Sequence, residues 1–257
     1  MPRKYKKSPT YKLKKKYGKN ATKSATVLQS AIRRAINANN NRMLETKTSC
    51  YTEADGAEMF HNSLYVRNST LLKTTQGVTD PENNQISNRI GDKITLSGLS
   101  VKVMFEANER YSNVTYRIFI VKSAKGDIPT QANFFNNLSG NKMIDTINTE
   151  RFTVLASKTF KIHQTSTGMV ESGIQEVGSG FTKGTPVISR ATKIVKLWVP
   201  GNKLVRGKTL TYEHNSQQPK FFDYSLLYFA YSNYSTTTSY YVGRINDEVI
   251  QLYYKDA

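Results

Sequence analysis

The chain has 257 residues, 37 lysines and arginines against 19 acids, and a formal charge of +18. Its length suits one domain with a sizeable core once a tail is subtracted, and its charge favours a polyanionic partner such as nucleic acid or an acidic membrane surface. The one cysteine, Cys50, excludes an intrachain disulfide framework and a multi-thiolate metal site, and fits a reducing intracellular origin. No apolar run approaches the roughly 20 residues that cross a bilayer, and the N-terminus lacks the apolar centre of a secretory signal, so a soluble protein not secreted by that route is expected.

Charge is concentrated at the start. Residues 1 to 42 hold thirteen basic side chains: Arg3, Lys4, Lys6, Lys7, Lys12, Lys14, Lys15, Lys16, Lys19, Lys23, Arg33, Arg34 and Arg42. They contain no acid, since the first carboxylate is Glu45. Residues 43 to 257 carry the remaining 24 basic and all 19 acidic side chains, a net +5, so arm and body are predicted to do different work. Residues 1 to 23 have too few apolar groups to offset chain entropy, and their charge repels itself when unpaired; disorder is predicted for the free arm. Tyr5, Tyr11 and Tyr17 recur every six residues among the lysines. Their rings suit stacking on unpaired bases while ammonium groups meet phosphates; a generic solvated basic tail is the plainer reading.

Residues 24 to 36, SATVLQSAIRRAI, repeat Ala25, Leu28, Ile32, Ala35 and Ile36 at helical spacing behind Ser24 as an N-cap. A short helix at about 24–37 is predicted, with Arg33 and Arg34 on its outer face. Two roles stand: its apolar side anchors to protein while the guanidinium groups meet phosphate, or the helix simply docks on the body. The lysine-rich arm suits nuclear import better than an organelle transit peptide, which favours arginine.

Beyond the asparagines at 37 to 41, short strand-like runs alternate with Gly, Asn, Pro and Ser, and the body (43–257) is predicted to be all-β. LSVKVMFE at 99 to 106 alternates Leu99, Val101, Val103 and Phe105 against Lys102 and Glu106, a half-buried strand. TYRIFIV at 115 to 121 is apolar on both faces, which predicts a central strand or one covered by a neighbouring subunit. Phe152, Val154, Ala156, Phe160 and Ile162 mark one face of a further strand, broken by Lys158. TKIVKLWV at 192 to 199, YSLLYFAY at 224 to 231 and EVIQLYY at 248 to 254 follow, with weaker strands at 43 to 52, 204 to 212 and 239 to 245. Eight or nine strands with long connections, and no internal repeat, predict a single eight-stranded jelly roll with one core, a two-sheet antiparallel sandwich. Tyr224, Tyr228, Tyr231, Tyr240, Tyr241, Tyr253 and Tyr254 are assigned to core and subunit contacts. The connections at 67 to 88 and 163 to 190 are expected to form exposed surface.

The order of particular segments adds to this. NRIGDKITLSGLSVKVMFE at 88 to 106, TYRIFIVKS at 115 to 123 and DIPTQANFFNNL at 127 to 138 come first. RFTVLASKTFKI at 151 to 162, VKLWVPGNKLV at 195 to 205, SLLYFAYSN at 225 to 233 and VIQLYYKDA at 249 to 257 follow. In this order, over roughly 170 residues and behind a basic arm, the segments resemble coat proteins of small circular single-stranded DNA viruses, geminivirus-like and circovirus-like ones. The resemblance implies a viral jelly roll that self-assembles into an icosahedral capsid of about sixty copies. It also implies packaging of a viral ssDNA genome through the arm, residence in the virion, and passage through the host nucleus by the import machinery. Small RNA satellite viruses share a similar architecture, so RNA remains an alternative cargo. Geminivirus coat proteins often show a Cys/His cluster near the start; this arm has neither residue, so zinc is not carried over, and neither is a plant host.

Enzyme chemistry is not expected. His61, His163 and His214 lie in unrelated segments without HxH, HExxH or His-carboxylate spacing, and Cys50 reads as a small packed apolar residue. VESGIQEVGSGFTKG at 170 to 184 lacks the GxxxxGK[ST] spacing and reads as a flexible surface loop. Asp247 with Glu248, and Glu106 with Glu109, are placed in or beside turns and solvated. No cofactor is implied, and no set of metal ligands, calcium included, can be picked out. Five Asn-x-Ser/Thr sequons, at Asn20, Asn68, Asn113, Asn137 and Asn233, are ordinary for so Asn-, Ser- and Thr-rich a chain. The rival reading is a nucleic-acid-binding protein that never forms a shell, nuclear shuttle or ribosome-associated; a jelly-roll enzyme or lectin would require a lined polar pocket.

Overall fold

A computed structural model describes residues 27–36, 46–53, 56–67, 71–77, 88–108, 111, 113–136, 141–163, 174–177, 180–183, 190–232 and 241–256. The chain divides into two compact units, residues 1–45 and 46–257. In the first, residues 27–36 form helix α1.

In the second unit, alternating β-branched and aromatic side chains build two antiparallel sheets. The strands are β1 (Lys47–Glu53), β2 (Ala57–Phe60), β3 (Leu64–Arg67), β4 (Lys93–Ala107), β5 (Asn113–Ala124) and β6 (Thr153–His163). They continue as β7 (Ile174–Val177), β8 (Gly180–Lys183), β9 (Thr192–Pro200), β10 (Thr209–Thr211), β11 (Phe222–Ser232) and β12 (Tyr241–Asp256). Single-turn helices α2 (Gln131–Phe134) and α3 (Gly201–Leu204) sit in connections.

In the first sheet, β1 and β2 follow one another along β12, β12 pairs with β4, and β9 and β10 follow one another along β4. The second sheet runs β3-β11-β5-β6, and β7 and β8 form a separate hairpin. With β1/β2 counted as one position and β9/β10 as another, the sheets read 1-8-3-6 and 2-7-4-5. Position 1 pairs with 8, 2 with 7, 3 with 6 and 4 with 5. That nesting is a long hairpin rolled around itself, which defines a jelly roll.

Leu99, Val101, Val103 and Phe105 of β4 face Val114, Tyr116, Ile118 and Ile120 of β5 across the interior, all fully buried. At the centre Phe105 meets Tyr116, Phe160 and Tyr228 with ring centroids 5.2, 5.0 and 5.8 Å apart. Three phenols of the core each donate to a backbone carbonyl, as burial demands. Tyr116 donates to the Glu106 carbonyl at 3.0 Å, Tyr212 to Leu72 at 2.8 Å and Tyr224 to Leu204 at 3.1 Å. Of the tyrosines assigned to core or contact, Tyr224, Tyr228 and Tyr254 are core; Tyr231, Tyr241 and Tyr253 are half-buried, and Tyr240 lies outside the described residues.

Several expectations are corrected. The core is double. Phe119 and Val121 of β5 and Leu227 and Phe229 of β11 point away from the sandwich into a second cluster, capped by Phe134, Phe135 and Phe152. β5 is a central strand, one of the two places its apolar faces predict for it, and the chain's own β5–β6 connection covers its outer side. A capping box at Thr130 holds that cover: Asn133 N donates to Thr130 Oγ1 at 3.3 Å while Thr130 N donates to Asn133 Oδ1 at 2.6 Å.

The face assigned to β6 is not continuous. Ile120 pairs with Ala156 but Val121 with Val154, so Leu155 is bulged, and Phe152 and Val154 join the second cluster while Phe160 and Ile162 face the first. The described part of the run at 239 to 245 and the run at 248 to 254 belong to one strand of 16 residues, β12 (Tyr241–Asp256), whose pairing slips at Asn246. That slip turns Glu248 inward, where it is 2% exposed rather than solvated in a turn. Finally, the 67–88 connection is not all surface, since Leu71, Leu72 and Thr74 are buried. The weak strand at 204 to 212 resolves into the end of α3 and the short β10.

Candidate nucleic-acid interface

Arg3, Lys4, Lys6, Lys7, Lys12, Lys14, Lys15, Lys16, Lys19, Lys23 and Arg42, with Tyr5, Tyr11 and Tyr17, lie outside the described residues. Arg33 and Arg34 lie on α1 and are exposed. Leu28, Ile32 and Ile36 recur every four residues and share one face; Arg34 falls on the opposite face and Arg33 on the flank, by the roughly 100° per residue of a helix. Leu28, Ile32 and Ile36 are 62, 48 and 52% exposed. The helix thus has a cationic side and an apolar side.

Several cations of the body are spent on the fold. Arg89 is fully buried; its guanidinium lies 4.3 Å from the Tyr212 ring centroid, Nη2 donates to the Ser216 carbonyl at 2.5 Å, and Nη1 donates to the Gly91 carbonyl. One side chain thereby joins the 88–92 segment to the β10–β11 connection. Lys47 pairs with Asp256 at 2.5 Å, Lys125 with Asp223 at 3.1 Å, Lys142 with Asp145 at 2.8 Å and Arg151 with Asp127 at 2.5 Å. Arg190 meets Glu106 at 2.8 Å. Burial pulls the Glu106 carboxyl up, but hydrogen bonds from Asn246 and Arg190 outweigh it and hold the group below the usual range. Glu106 lies in the strand predicted over 99–106, but it is engaged by Arg190 and Asn246 rather than solvated.

An ionic cluster that the sequence does not announce bridges the sheets. Arg67 of β3 meets Glu53 of β1, and its Nε lies 3.1 Å from Glu248 Oε1 of β12, off the line of a hydrogen bond. Tyr228 donates to Glu248 Oε2 at 2.5 Å and Tyr51 to Glu53 Oε2 at 2.7 Å. Burial is the main cause that raises the Glu248 carboxyl, against the pull of Tyr228 and Arg67, and burial likewise raises the Tyr228 phenol. A small pocket beside the cluster is lined by Gly56, Tyr65, Arg67 and Asn246.

The three histidines are dispersed. Burial lowers His61, which accepts from Ser232 N at 3.2 Å; His163 meets Asn113, and His214 lies 3.2 Å from Asp92. Among the described residues no group of three or more His, Cys, Asp or Glu is placed to hold a metal ion. Cys50 is exposed, against the packed position expected of it, because its pair with Gln251 of β12 puts it on the outer face of the first sheet. Within the glycine-rich stretch at 170 to 184, the hairpin of β7 and β8 replaces the expected loop.

Tymovirus structures are among those the chain resembles. A structure of Desmodium yellow mottle tymovirus aligns over 82% of this chain and 81% of that one, with 8% identity and a TM-score of 0.34. One of the empty head of turnip yellow mosaic virus aligns over 83% and 82%, with 10% identity and a TM-score of 0.32. VP1 of Trichodysplasia spinulosa-associated polyomavirus, solved with 6'-sialyllactose, aligns over 82% and 94%, with 8% identity and a TM-score of 0.21. No family profile matches the chain, and no curated protein matches it by sequence. The jelly-roll assignment rests on strand order and pairing.

Proposed function

We propose that this chain is a viral capsid protein whose jelly-roll subunits self-assemble into a small icosahedral shell of about sixty copies. In this reading the basic arm packages a single-stranded genome, circular ssDNA. The observation that carries it is the union, in one chain, of a nested eight-position jelly roll with a segment holding thirteen cations and no acid. The body balances most of its charge internally, which leaves the arm as the main polyanion ligand. About sixty arms of +13 supply roughly 780 positive charges, enough for a comparable number of phosphates.

Shell building needs side surfaces that repeated heterologous contacts can bury. Ile90, Ile128, Ile144 and Phe221 are exposed apolar side chains on connections of the body and supply such surface. Phosphate contacts position the genome without reading its sequence, so selection comes from elsewhere. The location is the virion, with assembly in the host nucleus after entry by the import machinery; exposed connections would meet the receptor.

Electron microscopy of the purified protein, with and without single-stranded DNA, tests the reading. Closed particles of uniform size are expected, and small soluble species under all salt and pH conditions would refute a shell. Binding by unassembled subunits should weaken steeply with salt, by about 0.7 in log-log slope per neutralised phosphate. Binding that survives removal of residues 1–23 unchanged would refute the arm's role.

A further inference from the structure

The outer face of the first sheet carries a feature that the fold does not require. Pairing sets Thr52, Val249, Lys102 and Lys196 in one row and Cys50, Gln251, Ser100 and Trp198 in the next. Lys102 and Lys196 are directly opposed like charges, an arrangement that costs stability. Neither is in an ion pair among the described residues. Asp247 lies one row on, opposite Met104, and Glu106 is occupied by Arg190 and Asn246. Exposed Lys93 extends the positive charge to the far end of β4.

Trp198 sits beside this lysine pair. Its six-membered ring lies over buried Gly98, where an added Cβ would come 2.2 Å from Cζ2, so only glycine leaves room for it. Tyr253 supports it with ring centroids 5.6 Å apart. Held in this way, the indole is nevertheless 54% exposed. A fixed, exposed aromatic ring beside two opposed lysines matches what an unpaired nucleotide needs: a stacking platform with phosphate contacts within reach.

We propose that the outer face of the first sheet is a second contact for single-stranded nucleic acid, in which a base stacks on Trp198 and adjoining phosphates meet Lys102 and Lys196. This rests on the packaging role proposed above and gives the genome a site on the body as well as on the arm. Because stacking tolerates any base, the site would accept the strand without sequence choice.

Trp198 is the only tryptophan in the chain, so its emission reports this face alone. Full-length protein, kept as unassembled subunits, is titrated with an end-labelled oligothymidylate of about 20 nucleotides, enough to span one such site. Label anisotropy and Trp198 emission are followed together, and quenching that tracks anisotropy is expected. By anisotropy, Trp198→Ala should weaken binding about tenfold, while Trp198→Phe, which keeps a ring, should retain most of it. Lys102→Ala with Lys196→Ala should lower the salt slope by about 1.4. If anisotropy rises while Trp198 emission and the variants' affinities stay unchanged, the arm binds and the sheet face does not; this inference fails and the packaging role stands. No binding by either signal overturns both. A blue shift that grows with protein concentration in the absence of DNA would identify a second copy as the occupant and overturn the inference.

Discussion

Removing Arg67 should be among the most damaging single changes in the body. Its guanidinium is the cation between Glu53 and Glu248, whose side chains are 19 and 2% exposed. The pair itself adds little net stability, because its attraction mostly offsets desolvation; deleting one partner strands the other, at a cost of about 3–5 kcal/mol. That is a large share of the roughly 5–15 kcal/mol a domain possesses, and corresponds to about 10 °C in Tm for a body of this size. The deficit should depend on pH. Burial already raises the Glu248 carboxyl above its ordinary 4.5. A raised carboxyl stabilises the fold when protonated, and that contribution is lost as pH climbs from about 4.5 through the folded-state value. Without Arg67 the folded-state value rises further, so Arg67→Ala should lose least near pH 4.5 and most near pH 7. Thermal melts of Arg67→Ala, Glu248→Gln and the double variant at the two pH values test this. Glu248→Gln keeps an acceptor for Tyr228, so the double variant should regain about 2 kcal/mol at pH 7. A loss under about 1 kcal/mol for Arg67→Ala, a deficit independent of pH, or a double variant no better than the single one would refute the reasoning.

Phe134→Ala should cost about 3–5 kcal/mol by opening the second cluster, and limited proteolysis should then cut the β5–β6 connection before the sandwich. Gly243→Ala places a Cβ 2.1 Å from the Tyr116 hydroxyl, which is bonded to the Glu106 carbonyl. Overpacking there should lower stability by about 1–3 kcal/mol in denaturant titrations, and Tyr116→Phe in the same chain should restore part of it. Cys50 in the native, unassembled subunit should react with a thiol reagent as fast as an unfolded control; protection until denaturation would contradict its place on the outer face.

Local chemistry explains which elements were legible in the sequence. The strand at 99 to 106 alternates without a break, and the structure buries the four residues its pattern selects. The β6 face was misread because Leu155 is an extra residue opposite β5, and β12 was split because its pairing slips at Asn246. A bulge is defined by the partner strand, so a one-residue change of parity looks like a turn or a flaw when one strand is read alone. Glu248 and Arg67 were missed for the same reason. Nothing near either residue in the chain signals the other, 181 positions away.

The amino-acid sequence by itself determined the division of charge and the choice of β structure, because cation spacing and period-two alternation act between near neighbours. It also carried the number and wide spacing of strands from which a jelly roll is expected. Only the tertiary structure decided what covers the two-faced strands, which cations are spent on the fold, and that Trp198 stands beside Lys102. Those outcomes depend on register between strands far apart in the chain, where a shift of one residue exchanges core for surface.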